Sequence, residues 1–299
     1  MASPSLEALT ASYNSAATLP QTLASAWNDN RIPVLLVDDG STDDSADFAE
    51  RHEGVRVLRQ RNAGPSVARN RAILESRSDF VMFLDSDDLL LPGYRDAFEA
   101  AYTANPEADV FVCGMRVIDE QGRLRTSDVA PSLQPTPFLS MLAGEAMPSH
   151  GIVIRRQLFA RAGLFRPGLH HAEDRDLWMR LAAASDRWVR MDHTLAVTRV
   201  RADSLSKNGP AMWRGIRQTV AAAAQLPVGT PDARRAAAQR ALASGASYVY
   251  YTAYAQSLRR QARTSLSGVV LEAAQLPPRL WPVMFRDVVG SAQRRWHGR

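Results

Sequence analysis

Three acidic residues follow directly on a short apolar run: Asp85, Asp87 and Asp88 come after residues 81–84. A run of this length and composition predicts a buried strand. Acids at the end of such a strand lie at the ligand-binding edge of an open α/β sheet. Carboxylates two residues apart suit a divalent cation that prefers oxygen ligands and keeps waters and substrate phosphates as its other ligands. The same acids are typical of a turn and a helix cap, so the motif alone leaves both interpretations open.

The sequence contains two more pairs of neighbouring acidic residues. Asp38 and Asp39 follow the apolar run 33–37, and Asp39 could accept hydrogen bonds from the ring of a nucleotide base. Glu173 and Asp174 precede apolar residues at helical spacing. Each pair also has a purely structural interpretation. Asp38 and Asp39 suit an Asx turn, and Glu173 and Asp174 suit an acidic first helical turn.

Strands and helices alternate over the first two thirds of the chain, which predicts an α/β protein with a mostly parallel sheet covered by helices on both faces. From about residue 211 the composition changes to alanine, arginine and leucine, which predicts a helical extension. We therefore expect a domain of residues 1–208, with halves 1–118 and 119–208, and a helical extension of residues 209–299. Strands are predicted at 6–12, 33–37, 55–58, 81–84, 109–117, 149–155 and 188–200, a loop at 131–137, and C-terminal helices at 211–225, 231–262, 264–275 and 281–295.

The composition is that of a globular protein, with 45% apolar and 22% charged residues and a net charge of +5. Basic pairs occur in the last third at Arg234-Arg235, Arg259-Arg260 and Arg294-Arg295. They hint at an anionic surface such as lipid headgroups, but an ordinary solvated helix face is the interpretation that we favour. No aromatic residues are interleaved with them in a recognised motif, so we expect no nucleic-acid partner.

The single cysteine, Cys113, excludes an intrachain disulfide and fits a reducing compartment. The sequence has no signal-peptide pattern, and no stretch approaches the roughly 20 apolar residues of a membrane span. These features predict a cytoplasmic protein. The C-terminal helices could pack on the first domain, form a homodimer, or lie on the inner face of the membrane as a peripheral contact through Trp281, Phe285, Val288 and Trp296.

Five short motifs follow one another in an order that resembles the family 2 glycosyltransferases, inverting enzymes with the nucleotide-sugar-binding GT-A fold. The resemblance covers about residues 5–205, and the five motifs together are far more specific than any one of them. They are Ser12-Tyr13-Asn14, Val-Asp-Asp-Gly-Ser-Thr-Asp at 37–43, Asn-Ala-Gly with Ala-Arg-Asn at 62–70, Asp85-Ser86-Asp87-Asp88, and Glu173-Asp174.

The resemblance implies a nucleoside-diphosphate sugar donor, a hydroxyl acceptor and a divalent metal ion. It implies Asp174 as the general base, with Glu173 orienting the acceptor or an arginine, and Asp87 as the ligand of Mn²⁺ or Mg²⁺. Asp88 is expected to cap a helix instead. The implied nucleotide-binding residues are Ala11, Ser12, Tyr13, Asp39, Asn62, Arg69, Asp85 and Ser86, and the histidines expected on the acceptor or donor side are His150, His170 and His171.

Two positions depart from the family pattern. Ala11 stands where proline is usual, and Arg199 and Arg201 stand where many relatives have a histidine that meets the metal or pyrophosphate. An arginine can neutralise a diphosphate, but it cannot ligate a metal because it has no free lone pair.

We expect a metal-dependent, inverting transfer of a sugar, from a UDP-sugar first of all, to a glycan or lipid-linked acceptor in cell-surface polysaccharide or glycoconjugate synthesis. One alternative is a catalytically silent module that binds sugar nucleotides or assists polysaccharide assembly. Another is a nucleotidyltransferase, which would carry a glycine-rich basic loop after its first strand. Here that position has Ser12-Tyr13-Asn14-Ser15-Ala16.

Overall fold

The computed structural model describes residues 3–145, 147–169, 171–200 and 209–258, without the side chains of 126–128, 209–210 and 246–258. The described residues group into two compact units. The first lies within Met1–Leu133, Ala146–Gly168 and Arg180–Arg201, and it contains the whole described sheet. The second lies within Gln134–Glu145, Leu169–Met179 and Ala202–Arg299. The predicted domain boundary at residue 208 stays a prediction.

Four parallel strands form one half of the sheet, in the order β3-β2-β1-β4. The register places Ser12 opposite Asp38 and Leu9 opposite Phe83. β2 and β4 are buried along their whole length, which is why their sequences are unbroken apolar runs. The predicted parallel arrangement is confirmed in this half. The strands are β1 (Leu6–Ser12), β2 (Val34–Asp38), β3 (Val55–Arg59) and β4 (Phe80–Phe83).

The other half of the sheet is mixed. Beyond β4 the order is β8-β6-β9-β5, with β7 pairing with β6 outside this path. β6 and β9 are parallel, whereas the pairs β4/β8, β6/β8, β5/β9 and β6/β7 are antiparallel. A tight turn at Gly122 (φ 75°) returns the chain from β6 straight into β7, and such a hairpin needs no crossover helix. The strands are β5 (Leu89–Leu90), β6 (Val110–Asp119), β7 (Leu124–Val129), β8 (Ile152–Arg155) and β9 (Trp188–Val200).

The helices of the first unit flank this sheet. α1 and α4 bury residues such as Leu23 and Phe98 against the strands, and Phe98 packs edge to face on Phe80 and Phe111 at centroid distances of 5.2 and 5.3 Å. These contacts form the main core. The helices of the described residues are α1 (Leu19–Trp27), α2 (Ser45–Glu50), α3 (Pro65–Glu75), α4 (Tyr94–Ala104), α5 (Pro137–Ala143), α6 (Phe159–Ala162), α7 (Glu173–Ala184), α8 (Gly209–Ala223) and α9 (Pro231–Leu258).

In the second unit α5, α8 and α9 pack together. α5 is a helix that the sequence interpretation did not predict: it begins at the end of the expected loop 131–137. The Thr136 side chain caps it by accepting from the N–H of Leu139 at 3.2 Å, and Phe138 and Leu142 are buried. The helices predicted at 264–275 and 281–295, with Trp281, Phe285, Val288 and Trp296, lie outside the described residues. Within the described residues, no helix combines the length and hydropathy that crossing a membrane requires.

Asn70 ties α3 to the loop that follows α6. Its Nδ2 donates to the carbonyl of Phe165, and its Oδ1 accepts from the N–H of Phe165, both at 2.8 Å. Phe165 is buried and packs on Phe83 at a centroid distance of 5.0 Å. The guanidinium carbon of Arg69 lies 5.4 Å from the centre of the Phe165 ring. The side-chain amide of Asn70 therefore bonds both backbone polar groups of Phe165, and the guanidinium of Arg69 lies over the ring of Phe165.

Replacing Asn70 by alanine should lower the free energy of unfolding by about 2–3 kcal/mol, because two hydrogen bonds are lost and two backbone groups are left unsatisfied. Urea unfolding measures the loss. Asn105→Ala is the control, since the Asn105 side chain bonds only the carbonyl of Ala101 at an exposed helix end. We expect less than about 1 kcal/mol for the control, and equal losses in the two variants would contradict this role of Asn70.

Candidate functional site

Polar loops leave the sheet side by side at the carboxyl ends of β1, β2 and β4. The N–H of Asp39 donates to the carbonyl of Ser12 at 2.8 Å, and the N–H of Leu84 donates to the carbonyl of Leu9 at 3.0 Å. Because the three strands are parallel, the loops that begin at Tyr13, Asp39 and Asp85 start from one edge. Ligands of open α/β sheets bind at edges of this kind.

Tyr13 presents its ring to solvent at this edge, since 51% of the residue is exposed. Ala11 is half-buried and Ser12 is buried. Ser12 therefore presents almost no side-chain surface at this edge, and the expected contacts of Ala11 and Ser12 with a nucleotide stay predictions. An exposed aromatic ring beside a polar loop offers an apolar face for a planar base.

Asn14 joins the loop after β1 to the loop after β2. Its Oδ1 accepts from the N–H of Thr42 at 2.8 Å, and its own N–H donates to Oγ of Ser41 at 3.0 Å. Its backbone is left-handed (φ 50°), a conformation that asparagine tolerates better than most residues. Asn14 stood in a recognised motif, but the sequence did not reveal this bridging role.

Asp39 holds the loop that precedes α3. Its Oδ1 accepts from Nε2 of Gln60 at 2.7 Å and from the N–H of Ala63 at 2.9 Å, and its Oδ2 accepts from the N–H of Gly64 at 2.8 Å. Asp39 is buried. A carboxylate has about four acceptor positions, so these three bonds leave room for one more donor. Asp39, which is expected to contact a base, therefore already holds the loop before α3 through these hydrogen bonds.

The loop around Asn62 lies close to Gly40. A Cβ at Gly40, whose φ is 81°, would come within 2.8 Å of the backbone nitrogen of Asn62. Glycine therefore allows the two loops to approach, and it also tolerates the left-handed backbone. Asn62 itself is exposed, so its side chain is accessible to a ligand at this edge.

Ser86 anchors the acidic loop to the start of α1. Its carbonyl accepts from Oγ1 of Thr18 at 2.9 Å and from Oγ1 of Thr22 at 3.1 Å. Its Oγ shares a hydrogen bond of 2.8 Å with Oγ of Ser15. These three hydroxyl contacts fix the backbone between Asp85 and Asp87.

Asp85 pairs with Arg69. Nη2 of Arg69 lies 2.7 Å from Oδ1 of Asp85, and the two side chains are 11% and 33% exposed. Burial alone would raise the pKa of Asp85, but the charge and hydrogen bond of Arg69 outweigh burial and hold it below its usual value. At neutral pH Asp85 is therefore ionised beside a guanidinium that also rests on Phe165. The structure brings together these two residues that the sequence assigned to the same site.

Asp88 is not a helix cap, contrary to the sequence interpretation. α4 begins six residues later, after Gly93 (φ 85°). Asp88 instead points inward: its side chain is 8% exposed, and Oδ1 accepts from the N–H of Arg199 in β9 at 2.8 Å. Burial, together with the charges of Asp85 and Asp87, raises the pKa of Asp88 well above its usual value.

His150, which the sequence analysis expected on the acceptor or donor side, is buried next to Asp88. Nδ1 of His150 is 3.2 Å from Oδ2 of Asp88, without the alignment of a hydrogen bond, and the ring is 1% exposed. Burial lowers the pKa of His150 to about 4, so the ring is neutral at neutral pH. The hydroxyl of Tyr94 donates to the carbonyl of His150 at 2.9 Å. His150 therefore supports the acidic loop from below.

Asp87 is part-exposed, as is Asp85, whereas Asp88 is buried. Within the described residues no group of three or more histidine, cysteine or acidic side chains could hold a metal ion on its own. A protein cage is thus absent there, but Mg²⁺ and Mn²⁺ sites that act on phosphates usually need only one or two carboxylates, with the substrate as a further ligand. Two ionisable, part-exposed carboxylates at one strand end fit such a site.

Arg199 contributes its backbone N–H to Asp88 and its side chain to α1, since Nη2 donates to Oε1 of Gln21 at 2.7 Å. Its part-exposed guanidinium therefore bonds the neutral amide of Gln21. Arg201, which was considered with it, lies outside the described residues.

The second unit carries the other predicted residues. Glu173 and Asp174 open α7 and are part-exposed, and Oδ1 of Asp174 accepts from the N–H of Arg175 at 2.6 Å. Burial lowers the pKa of Arg175, and the charge of Asp174 opposes this shift. His171 is part-buried just before this turn, and His170 lies outside the described residues.

The comparisons with known proteins point to one family. The family model of Glycosyl transferase family 2 matches residues 8–162. Among curated relatives, the succinoglycan biosynthesis protein ExoU of Rhizobium meliloti (strain 1021) is 31% identical over 218 residues, which is 64% of this chain and 61% of ExoU. The chain spans about half the length of the curated relatives it matches.

Solved structures show the same fold at low identity. S. aureus TarS 1–349 in complex with UDP-GlcNAc has a TM-score of 0.71 at 18% identity, over 93% of this chain and 83% of that one. The mannosyltransferase PcManGT from Pyrobaculum calidifontis, in complex with GDP-Man and Mn²⁺, has a TM-score of 0.63 at 18% identity, over 100% of this chain and 89% of that one.

The predicted GT-A fold is therefore confirmed, with a mixed central sheet flanked by helices. The family model covers more than half of the chain and includes the ends of β1, β2 and β4, where the polar loops gather. The chain belongs to glycosyl transferase family 2.

Proposed function

We propose that this chain transfers a sugar from a nucleoside-diphosphate sugar to a hydroxyl of a glycan or lipid-linked acceptor, with inversion at the anomeric carbon and with the help of a divalent metal ion. The observation that carries the proposal is the row of polar loops at one sheet edge. There an exposed Tyr13 ring, the Arg69–Asp85 pair and a part-exposed Asp87 belong to a family 2 domain.

The donor side of the reaction falls to the first unit. The Tyr13 ring would lie against the base, Asp39 would accept from it, and Arg69 would face the ribose or the phosphates. Asp87, with Asp85 beside it, would hold Mg²⁺ or Mn²⁺. Such an ion stabilises the negative charge that develops on a departing diphosphate.

Asp174 is proposed as the general base. It would take the proton of the acceptor hydroxyl while that oxygen forms a bond to the anomeric carbon, and the bond from this carbon to the diphosphate oxygen would break in the same step. A single displacement from the face opposite the leaving group inverts the configuration. Glu173 would orient the acceptor beside it.

The relatives guide the choice of substrates without deciding it. TarS was crystallised with UDP-GlcNAc and PcManGT with GDP-Man, so both uracil and guanine nucleotides deserve a test, and a UDP-sugar is our first choice. ExoU is named for succinoglycan biosynthesis, which supports a role in making a surface polysaccharide or glycoconjugate. We propose a cytoplasmic reaction, because the buried Cys113 suits a reducing compartment.

Calorimetric titration of UDP and GDP, each with Mn²⁺ and with EDTA, tests the donor side. One diphosphate should bind, and Mn²⁺ should strengthen its binding. Asp87→Ala should weaken the Mn²⁺-dependent binding at least about tenfold, which is about 1.4 kcal/mol. Asp192→Ala is the control, because the Asp192 side chain is 82% exposed and pairs only loosely with Arg190.

Binding of neither diphosphate, with or without metal, would remove the main support for a transferase. Binding that ignores both Mn²⁺ and Asp87→Ala would contradict the proposed metal ligand alone.

Replacing Asp174 by asparagine tests the base. We expect the transfer rate kcat to fall about 10²- to 10⁴-fold, the range that general bases contribute, while the diphosphate affinity stays unchanged. Asp186→Asn, at an exposed position after α7, is the control and should retain full activity. If the wild-type chain binds nucleotide but transfers no sugar, the silent-module alternative is favoured. If Asp174→Asn transfers at the wild-type rate, another residue is the base.

A further inference from the structure

The N-terminal turn of α7 is in close contact with the helices of the second unit. We propose that α8 positions the turn that carries Glu173 and Asp174, and that Gly215 is a positioning residue because its missing side chain lets the helix meet the backbone of that turn. This inference rests on the proposed function, since it gives the C-terminal helices a task in that reaction.

Gly215 lies in the middle of α8, where glycine is disfavoured on conformational grounds. A Cβ at this position would stand 2.4 Å from the carbonyl oxygen of His171, 2.9 Å from its carbonyl carbon and 3.1 Å from its Cβ. The obstacle is backbone, not the movable end of a long side chain. The helix therefore touches the main chain two residues before Glu173.

The turn itself has a backbone conformation that needs support. Ala172, between His171 and Glu173, is buried and left-handed (φ 59°), although it carries a Cβ. Such conformations persist where the surrounding structure holds them. On the C-terminal side the N–H of Asp176 donates to the carbonyl of Ala172 at 3.0 Å and begins the helix. On the N-terminal side Gly215 of α8 lies against the carbonyl group of His171.

On the C-terminal side of the turn, the side chain of Arg175 reaches the end of α5. A Cβ at Gly144, the residue that ends α5 with φ 95°, would lie 3.0 Å from Nη2 of Arg175 and 3.6 Å from Cα of Ala241 in α9. Arg175 follows Asp174 directly, and the Arg175 N–H already donates to the Asp174 carboxylate. Gly215 of α8 thus meets the backbone of His171, and the end of α5 meets the side chain of Arg175, while α9 lies against Gly144.

Adding one methyl group at Gly215 should displace the turn. To bring the new Cβ from 2.4 Å to an ordinary contact of at least 3.4 Å, the carbonyl of His171 and the helix must separate by 1 Å. A misplacement of about 1 Å at a reacting group can cost about 100-fold in rate. The donor loops of the first unit do not include these residues, so nucleotide binding should be unaffected.

The experiment compares Gly215→Ala with Gly245→Ala in the full chain. A Cβ at Gly245 of α9 would press on the Trp213 ring at 3.0 Å and on Ile216 at 3.3 Å, so it disturbs the α8–α9 contact without reaching the turn. We expect Gly215→Ala to lower kcat about 100-fold with unchanged diphosphate affinity and donor KM. Gly245→Ala should change kcat less than about threefold, which is below 1 kcal/mol.

Hydrogen exchange of residues 169–176 gives a readout that does not need activity. Exchange in this segment should become faster in Gly215→Ala and stay unchanged in Gly245→Ala. Ala172→Gly is a second variant that adds no atoms: glycine accepts the left-handed backbone but widens the choice of conformations. It should keep the fold, speed exchange in the same segment and lower kcat.

Equal losses of kcat in Gly215→Ala and Gly245→Ala would overturn the inference, as would unchanged exchange of residues 169–176 in both Gly215→Ala and Ala172→Gly. A wild-type chain that transfers no sugar would instead refute the proposed function, and the exchange measurements would still decide whether α8 holds the turn.

Discussion

Three carboxylates within four residues repel one another, and the loop after β4 has to reduce that repulsion before it can bind anything. It does so by separating them. Asp88 turns inward to the backbone N–H of Arg199 above a neutral His150, Asp85 pairs with Arg69, and Asp87 keeps a part-exposed position. The cost of burying Asp88 is reflected in its raised pKa. The arrangement of the polar groups at this edge of the sheet depends on the different surroundings of the three carboxylates.

Much of the first unit could be predicted from the sequence, because unbroken apolar runs are typical of buried parallel strands. β2 and β4 were found within a residue of their predicted bounds, and the polar loops after them met at one edge as expected. The direction in which individual side chains of a short run point could not be predicted. A run such as Asp-Ser-Asp-Asp does not tell which acid faces the core, so Asp88 was misassigned as a cap, and the burial of His150 was not foreseen. The bridging amides of Asn14 and Asn70 were equally hidden, because their partners are backbone groups of distant segments.

The residues proposed for the donor and the residue proposed as the base belong to different compact units. The donor residues follow strands of the sheet, whose positions are fixed by ladders of backbone hydrogen bonds. The proposed base belongs to a helical turn that meets α8 at Gly215 and the end of α5 at Gly144, so we infer that its position is sensitive to one small residue.

The three hydrogen bonds of Asp39 have a consequence for the thermodynamics of binding. They hold Gln60, Ala63 and Gly64 in place in the free protein. Fixing the backbone of one residue costs about 1–2 kcal/mol of conformational entropy, and here folding has already met that cost. A nucleotide that binds at this edge would not have to order the loop first. The entropy cost of binding would therefore be smaller and the affinity correspondingly higher.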